Sequence, residues 1–230
     1  MKSKKNIVCI IPARGGSKII KNKNILNFFG KPIIYHSINE AKKSKIFNQI
    51  LVSTDSKKIA NISERYGAKC PRLRAKILAD DYKTTSDVLF REIKTFDTEN
   101  FEYHCCIYPC NPLIDFKILK KAFIYFKNNK FDSLFAVSEY SHSILRSFKI
   151  NKKNIYYKYP NNINKRSQDL PKFFHDAGSF YFFKTKKFLK TKKLFSRNTG
   201  FYILPKYSHL DIDTKEDLKF VKEIYKIRKL

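Results

Sequence analysis

Apolar positions in this chain follow two rhythms. The first is the compact block. Residues 6–11 (NIVCII), 49–53 (QILVS), 103–108 (YHCCIY) and 133–138 are short, rich in β-branched or aromatic residues, and bounded by Pro, Gly or polar turns, which predicts buried strands. The second is the spaced stripe. Residues 31–46 carry Ile34, Ile38 and Ala41 on one helical face, residues 56–66 form a helix that Gly67 ends, and residues 84–97 and 116–128 read as helices too. Strand and helix alternate, with a turn at residues 109–112, so the expected class is α/β: a mainly parallel sheet with helices on both faces. Ligands bind such sheets beyond the carboxyl ends of the strands.

The pattern changes after about residue 140. Residues 144–150 and 154–159 predict a hairpin across residues 151–153, and a polar stretch, NNINKRSQDLP, follows. Strands return at 179–183 and 200–204, and a helix at 214–228 turns Leu218, Val221, Ile224 and Tyr225 toward the core. The chain therefore reads as one domain, 1–230, with a small β-rich subdomain near 140–175.

Composition narrows this picture. Hydrophobic residues make up 43%, ample for a packed core. No apolar run approaches the roughly 20 residues of a membrane span. The basic start and residues 7–11 are too short an apolar stretch for a signal peptide and run straight into Pro12, so a cytoplasmic protein is expected. The five cysteines form neither a disulfide framework nor a CxxC metal site, and Cys105 and Cys106 should face opposite sides of their strand.

The net charge of +28 would suit a nucleic-acid-binding module or an anionic membrane. Yet only nine of the 48 basic residues are Arg, and the lysines are scattered over every helix in a chain rich in Asn, Ile, Phe and Tyr and lacking Trp. That is the mark of AT-rich codon usage. No Arg cluster with stacking aromatics appears, so neither nucleic acid nor membrane is the expected partner.

Candidate chemistry follows the predicted strand ends. Pro12-Ala13-Arg14-Gly15-Gly16-Ser17-Lys18, with Lys23-Asn24 beyond it, joins two glycines, which let backbone N–H groups approach an anion, to cations that can neutralise a polyphosphate. It is neither a Walker A motif nor GxGxxG, and a plain strand–helix turn would read the same way. Asp211-Ile212-Asp213 on a strand would point both carboxylates to one side, a hard-oxygen pair suited to Mg²⁺. Asp213 with Glu216 could equally be a helix cap. Val52-Ser53-Thr54-Asp55 also reads as a helix N-cap, and Asp80-Asp81 as a solvated turn.

IIPARGGSK followed by Lys23-Asn24, then GKPII, VSTD, CPRLRAKILADDYKTT, CIYPCNPL and DIDTKEDL, resembles the acylneuraminate cytidylyltransferases, the CMP-sugar synthetases, over nearly the whole chain. Within that family, YPCNPL and RSQDLPKFFHDAGSFY are most similar to the branch acting on pseudaminic acid. The resemblance implies transfer of CMP from CTP to an acidic nine-carbon sugar, with Mg²⁺ or Mn²⁺ as cofactor. It implies that Arg14, Gly15, Gly16, Ser17, Lys18 and Lys23 hold the triphosphate and Asn24 lies near the ribose. Arg74, Lys83 and Thr85 would meet the base, with Tyr108 beside the nucleotide, and Asp55 and Asp81 match positions near nucleotide or metal. Arg14, Lys23, Asp211 and Asp213 are then the catalytic candidates, and Asp211 and Asp213 the metal ligands.

Departures fall in two places. Ile19 replaces a common Gly or Arg, and Lys21-Asn22 replace Pro-Arg, which affects loop shape. Tyr108 and Ala177 replace the Gln and Asn of sialic acid synthetases, which argues for a different sugar. Arg166, Gln168, His175 and Asp176 are the sugar-binding candidates, with Arg166 suited to a carboxylate, although a lone His is as often structural. The 140–175 segment would carry sugar or dimer contacts, allowing a homodimer. Synthetases for sialic acid, legionaminic acid or Kdo are the alternatives. Glycosyltransferases also carry a DxD, but after a mid-chain strand.

Overall fold

A computed structural model describes residues 6–17, 19–75 and 83–228. In chain order the elements are β1 (Ile7–Pro12), β2 (Asn27–Phe28), β3 (Lys31–Pro32), α1 (Ile34–Ser44), β4 (Gln49–Ser53), α2 (Lys57–Arg65), α3 (Thr85–Thr95) and β5 (Tyr103–Ile107). There follow α4 (Phe116–Asn128), β6 (Ser133–Glu139), β7 (Phe148–Asn151), β8 (Asn154–Tyr157), β9 (Phe174–Lys184), α5 (Thr185–Thr191), β10 (Thr199–Ile203) and α6 (Lys215–Ile227).

Six strands form the central sheet in the order β10-β6-β9-β5-β1-β4. Every neighbouring pair is parallel except the two that β9 makes, with β5 and β6. Strand alternation sorts the core into two layers. Ile7, Cys9 and Ile11 of β1 pack with Ile34 and Ile38 of α1 and with Leu119, Ala122 and Phe126 of α4. Val8 and Ile10 face the other way, onto Leu89 and Ile93 of α3 and Phe188 of α5. Cys105 and Cys106 divide between these layers, as their strand parity requires, and all five cysteines are free thiols. A third, smaller cluster joins α6, through Val221, to Phe28, Ile33, Leu113 and Ile212.

The expected boundaries shift where local chemistry intervenes. The helix expected over 31–46 starts at Ile34, because Lys31–Pro32 pairs with Asn27–Phe28 across Phe29 and Gly30, both at positive φ. Residues 144–146 form a 3-10 turn, so the expected hairpin is shorter, and all eight residues of β7 and β8 are exposed. The strand expected at 179–183 begins at Phe174 and bends where its register with β6 shifts between Phe135 and Val137. The short helix α5 carries no strong sequence signal. Among the described residues, no helix is long and apolar enough to cross a membrane.

One polar cluster lies deep in this core. His104 is fully buried, with Nδ1 2.8 Å from Thr185 Oγ1 and Nε2 3.0 Å from Thr98 Oγ1. The Thr98 hydroxyl spends its only proton on the Ile93 carbonyl, 3.1 Å away. It must therefore accept from His104, which fixes the neutral ring as the Nε2–H tautomer.

Candidate active site

Three parallel strands deliver their carboxyl ends to one cleft of about 610 Å³, a size suited to a small molecule. β1 ends at Pro12 and passes into Arg14, Ser17, Lys23 and Asn24; β5 ends at Ile107 and passes into Tyr108, Pro109 and Cys110. Beyond β4, the Ser53 carbonyl accepts from Ala13 N–H and from Arg74 Nη2, each at 2.8 Å, and this places Arg74 in the cleft wall. Lys83, Thr85 and Val88 add the start of α3, and Gly178, His209, Asp211 and Asp213 close the opposite side.

The glycine loop does not behave as a simple anion cradle. Gly15 donates its N–H to Asp55 Oδ1 at 2.7 Å, so this donor is already used. A Cβ on Gly15 would lie 3.1 Å from Ser56 Cβ, so the glycine serves a close approach of loop to turn. Gly16 has open space around it. Asp55 therefore holds the loop rather than capping a helix: Ser56 caps α2, accepting from Ile59 N–H. Asn24, which lines the cleft, also braces the loop. It is buried, donates to the Arg14 carbonyl at 2.7 Å, and accepts from the Cys110 thiol at 3.1 Å. Burial pushes that thiol up to about 12, so it stays protonated and unreactive. Asn22, in the left-handed region at φ 56°, turns the chain into Lys23.

The carboxylate pair differs from its expected form. Residues 211–213 form no strand, but Ile212 is buried while Asp211 and Asp213 are exposed, so both carboxylates still face the cleft side. The cap reading of Asp213 with Glu216 is overturned: Thr214 caps α6, and its capping-box partner is Asp217. Asp213 is left to meet Lys23 Nζ at 3.1 Å. His209 carries no local motif that would single it out. Its nearly buried ring lies 3.1 Å from Asn111 Oδ1 and 3.4 Å from Asp211 Oδ1. His209, and then Lys23, hold the Asp211 carboxyl below the usual carboxylate range against partial burial.

The two carboxylates offer only oxygen, at a solvent-open edge, with side-chain exposures of 73% and 67%. Among the described residues no three His, Cys, Asp or Glu converge to cage a metal. The donor set fits a hard cation that completes its shell with water and ligand phosphate oxygens.

Tyr108 and Gly178 meet at the far wall. The Tyr108 hydroxyl is 2.7 Å from Thr85 Oγ1, and a Cβ on Gly178, at φ +58°, would lie 3.5 Å from the Tyr108 ring. Asp176 braces this wall, accepting from Tyr181 O–H at 2.7 Å and Gly178 N–H at 2.9 Å. Burial pushes the Tyr108 and Tyr181 phenols up, so both remain neutral. His175 lines an adjoining cavity of about 550 Å³ that shares His209 and Asp211 with the cleft.

Arg166 and Gln168 are not among the residues lining either cavity. Arg166 is exposed and forks onto Asp169, with Nε–Oδ2 2.8 Å and Nη2–Oδ1 3.2 Å. Lys18, Asp80 and Asp81 lie outside the described residues.

Comparison with known proteins bears on this arrangement. Residues 8–230 match the family described as Cytidylyltransferase. The chain is 42% identical over 223 residues to a pseudaminic acid cytidylyltransferase of Campylobacter jejuni subsp. jejuni serotype O:2, covering 96% of each. It is 32% identical to a CMP-N,N'-diacetyllegionaminic acid synthase of the same organism, covering 97% of each. Among solved structures, CMP:2-keto-3-deoxy-manno-octonic acid synthetase complexed with CTP superposes with a TM-score of 0.71, over 97% of this chain and 99% of that one. At 15% identity that likeness speaks for the fold alone.

Proposed function

The chain belongs to the cytidylyltransferase family, and from that premise we propose that it transfers CMP from CTP to pseudaminic acid, releasing pyrophosphate. The observation that carries the reaction type is the convergence of Arg14, Lys23, Asp211 and Asp213 in one cleft at the ends of parallel strands. The sugar assignment rests on the 42% identity with the pseudaminic acid enzyme across 96% of both chains.

In this reading the anomeric hydroxyl of the sugar attacks the α-phosphorus of CTP, and the pyrophosphate leaves. Arg14 and Lys23 spread their charge over the triphosphate, and Asp55 and Asn24 keep the loop that carries Arg14 in place. Asp211 and Asp213 would hold Mg²⁺, which when bound would supply charge neutralisation at phosphate oxygens. Arg74 and Thr85, which line the same cleft, would meet the base. The sugar would enter from the adjoining cavity, past His175, because His209 and Asp211 belong to both spaces. Asp176, through Tyr181 and Gly178, would brace the cleft wall that carries Tyr108.

Pyrophosphate release tests the reading directly. Purified enzyme with CTP and Mg²⁺ should turn over pseudaminic acid at least about tenfold better than sialic, legionaminic acid or Kdo, because mismatched hydroxyl and acylamino groups leave buried polar atoms unpaired. ATP and GTP should give little turnover. Equal use of sialic acid would refute the sugar assignment, and equal use of ATP the nucleotide assignment.

Arg14→Ala should chiefly harm CTP use. A charge-assisted contact to phosphate is worth roughly 1.5–3 kcal/mol, so kcat/KM for CTP should fall by about tenfold to over a hundredfold. Steady-state kinetics showing an unaltered CTP profile would remove Arg14 from the triphosphate site.

A further inference from the structure

Behind Asp211 stands a side chain set more deeply than the carboxylate itself. His209 is 5% exposed at its side chain, against 73% for Asp211. Its backbone leaves the end of β10 through a tight turn. Leu204 N–H donates to the Val137 carbonyl at 2.9 Å, and Ser208 donates to the Pro205 carbonyl through its N–H at 3.0 Å and its O–H at 2.7 Å. Tyr207, in the left-handed region at φ 60°, lies inside that turn. The chain position of His209 is thus fixed before its ring makes any contact.

The ring is then held from one side. Nδ1 lies 3.1 Å from Asn111 Oδ1, and Asn111 Nδ2 lies 2.7 Å from Ser179 Oγ. Asn111 and Ser179 are both buried, so this run of contacts ties the loop after β5 and strand β9 to the approach to α6. The other ring nitrogen, Nε2, is buried and has no hydrogen-bond partner among the described residues. A buried polar atom left in that state costs about 1–3 kcal/mol. The charged group it faces is Asp211, with Oδ1 at 3.4 Å. That separation is long for a hydrogen bond, and such contacts tighten when a site is loaded. Oδ1 is also the inward oxygen, since a Cβ on Gly178 would lie 3.7 Å from it.

We propose that His209 is the positioning residue for Asp211: Nε2–H holds Oδ1 from behind and leaves the second oxygen turned to the cleft, where a hard cation would meet it. A proton on Nε2 makes the approach attractive, and two arrangements provide one. The imidazolium carries it. So does the neutral ring when the Asn111 amide is turned over, donating to Nδ1 and accepting the Ser179 hydroxyl proton. The role therefore belongs to either charge state of the ring. Asp211 is otherwise an exposed side chain with rotatable torsions, and a carboxylate held in advance loses less freedom on binding. Lys23 braces its neighbour Asp213 at 3.1 Å, so each carboxylate has its own support. The inference rests on the reading of Asp211 as a cation ligand.

The test is a Mn²⁺ titration with CTP and without sugar, read by electron paramagnetic resonance, which reports affinity without turnover. His209→Asn keeps a polar group near Asn111 but withdraws Nε2. His209→Phe keeps a ring without nitrogens and suits a buried position if the Asn variant does not fold. Either should weaken Mn²⁺ binding about tenfold and lower kcat by about ten- to a hundredfold, with melting temperatures taken on the same samples. His209→Gln carries an amide N–H that reaches toward Asp211 and should recover most of the affinity. On the Asp211→Asn background, His209→Phe should change Mn²⁺ affinity by less than about twofold, because the group it positions is gone. Lower melting temperatures with wild-type Mn²⁺ affinity would make His209 structural only and overturn the inference. So would a folded Gln variant as weak as the Phe variant, or a further tenfold loss on the Asp211→Asn background. If Asp211→Asn bound Mn²⁺ as wild type does, the ligand reading of Asp211 would fall and this inference with it. If Asp211→Asn lost Mn²⁺ while His209→Phe kept it, the inference alone would fall.

Discussion

Asp213→Asn should lower kcat by about a hundred- to a thousandfold while leaving the melting temperature unchanged. Two consequences follow from one lost charge. Lys23, 3.1 Å away, loses the anion that orients it, and a hard cation loses one of its two protein oxygens. Nothing in the fold depends on this carboxylate. Its side chain is 67% exposed, and the cap of α6 is Thr214 with Asp217. The neighbouring Thr214→Ala supplies the contrast: losing a capping-box hydroxyl should cost about 1 kcal/mol of stability with kcat little changed. Kinetics and thermal melts on the two variants separate chemistry from capping. A Mn²⁺ titration in the presence of CTP adds a readout independent of turnover, and Asp213→Asn should weaken it. Near-wild-type kcat and Mn²⁺ binding in that variant would leave the carboxylate with no role in the reaction.

The fold should lose on the order of 4–5 kcal/mol of stability through His104 alone between neutral pH and pH 3, about 2 kcal/mol of it by pH 5. Burial lowers this imidazole from 6.5 to about 3. Across that window the unfolded chain binds a proton that the folded chain refuses, so stability rises with pH and is lost on acidification. The refusal is physical. His104 sits between Thr98 and Thr185, stacked against Phe183 at 5.8 Å, and among the described residues no acid lies at hydrogen-bonding distance from the ring. Denaturant titrations at pH 7 and pH 5 should show the loss, and His104→Gln should lack it although less stable at both values. Glu92, raised by burial, contributes with the opposite sign. The difference between wild type and His104→Gln isolates the His104 part, and equal pH slopes in the two proteins would dispose of this account.

Much of the molecule was legible in residue order alone. Strands announce themselves by blocks such as NIVCII and QILVS, and helices by stripes such as Ile34, Ile38 and Ala41, because burial of one face or both leaves a period in the chain. Their alternation decided a mainly parallel sheet. Parallel strands put their carboxyl ends on one edge, so the loops carrying Arg14 and Tyr108 had to come together beside Ser53 at the end of β4.

What residue order could not decide were the pairings between distant segments, since propensity and period act over one or two turns. Lys23 and Asp213 meet across 190 positions. Asp55 takes the N–H of Gly15, so a residue that read as a cap is a brace of the loop, and Asn24, at the cleft, also holds the Arg14 carbonyl. His209 shows no local signal and becomes part of the cleft only because α6 and its approach fold against Ile33 and Leu113. Arg166 reads as a carboxylate grip, yet Asp169 lies three residues on and takes the fork. Strand β9 fits antiparallel between β5 and β6, which brings Gly178 against Tyr108, a contact between facing strands that neither segment encodes alone.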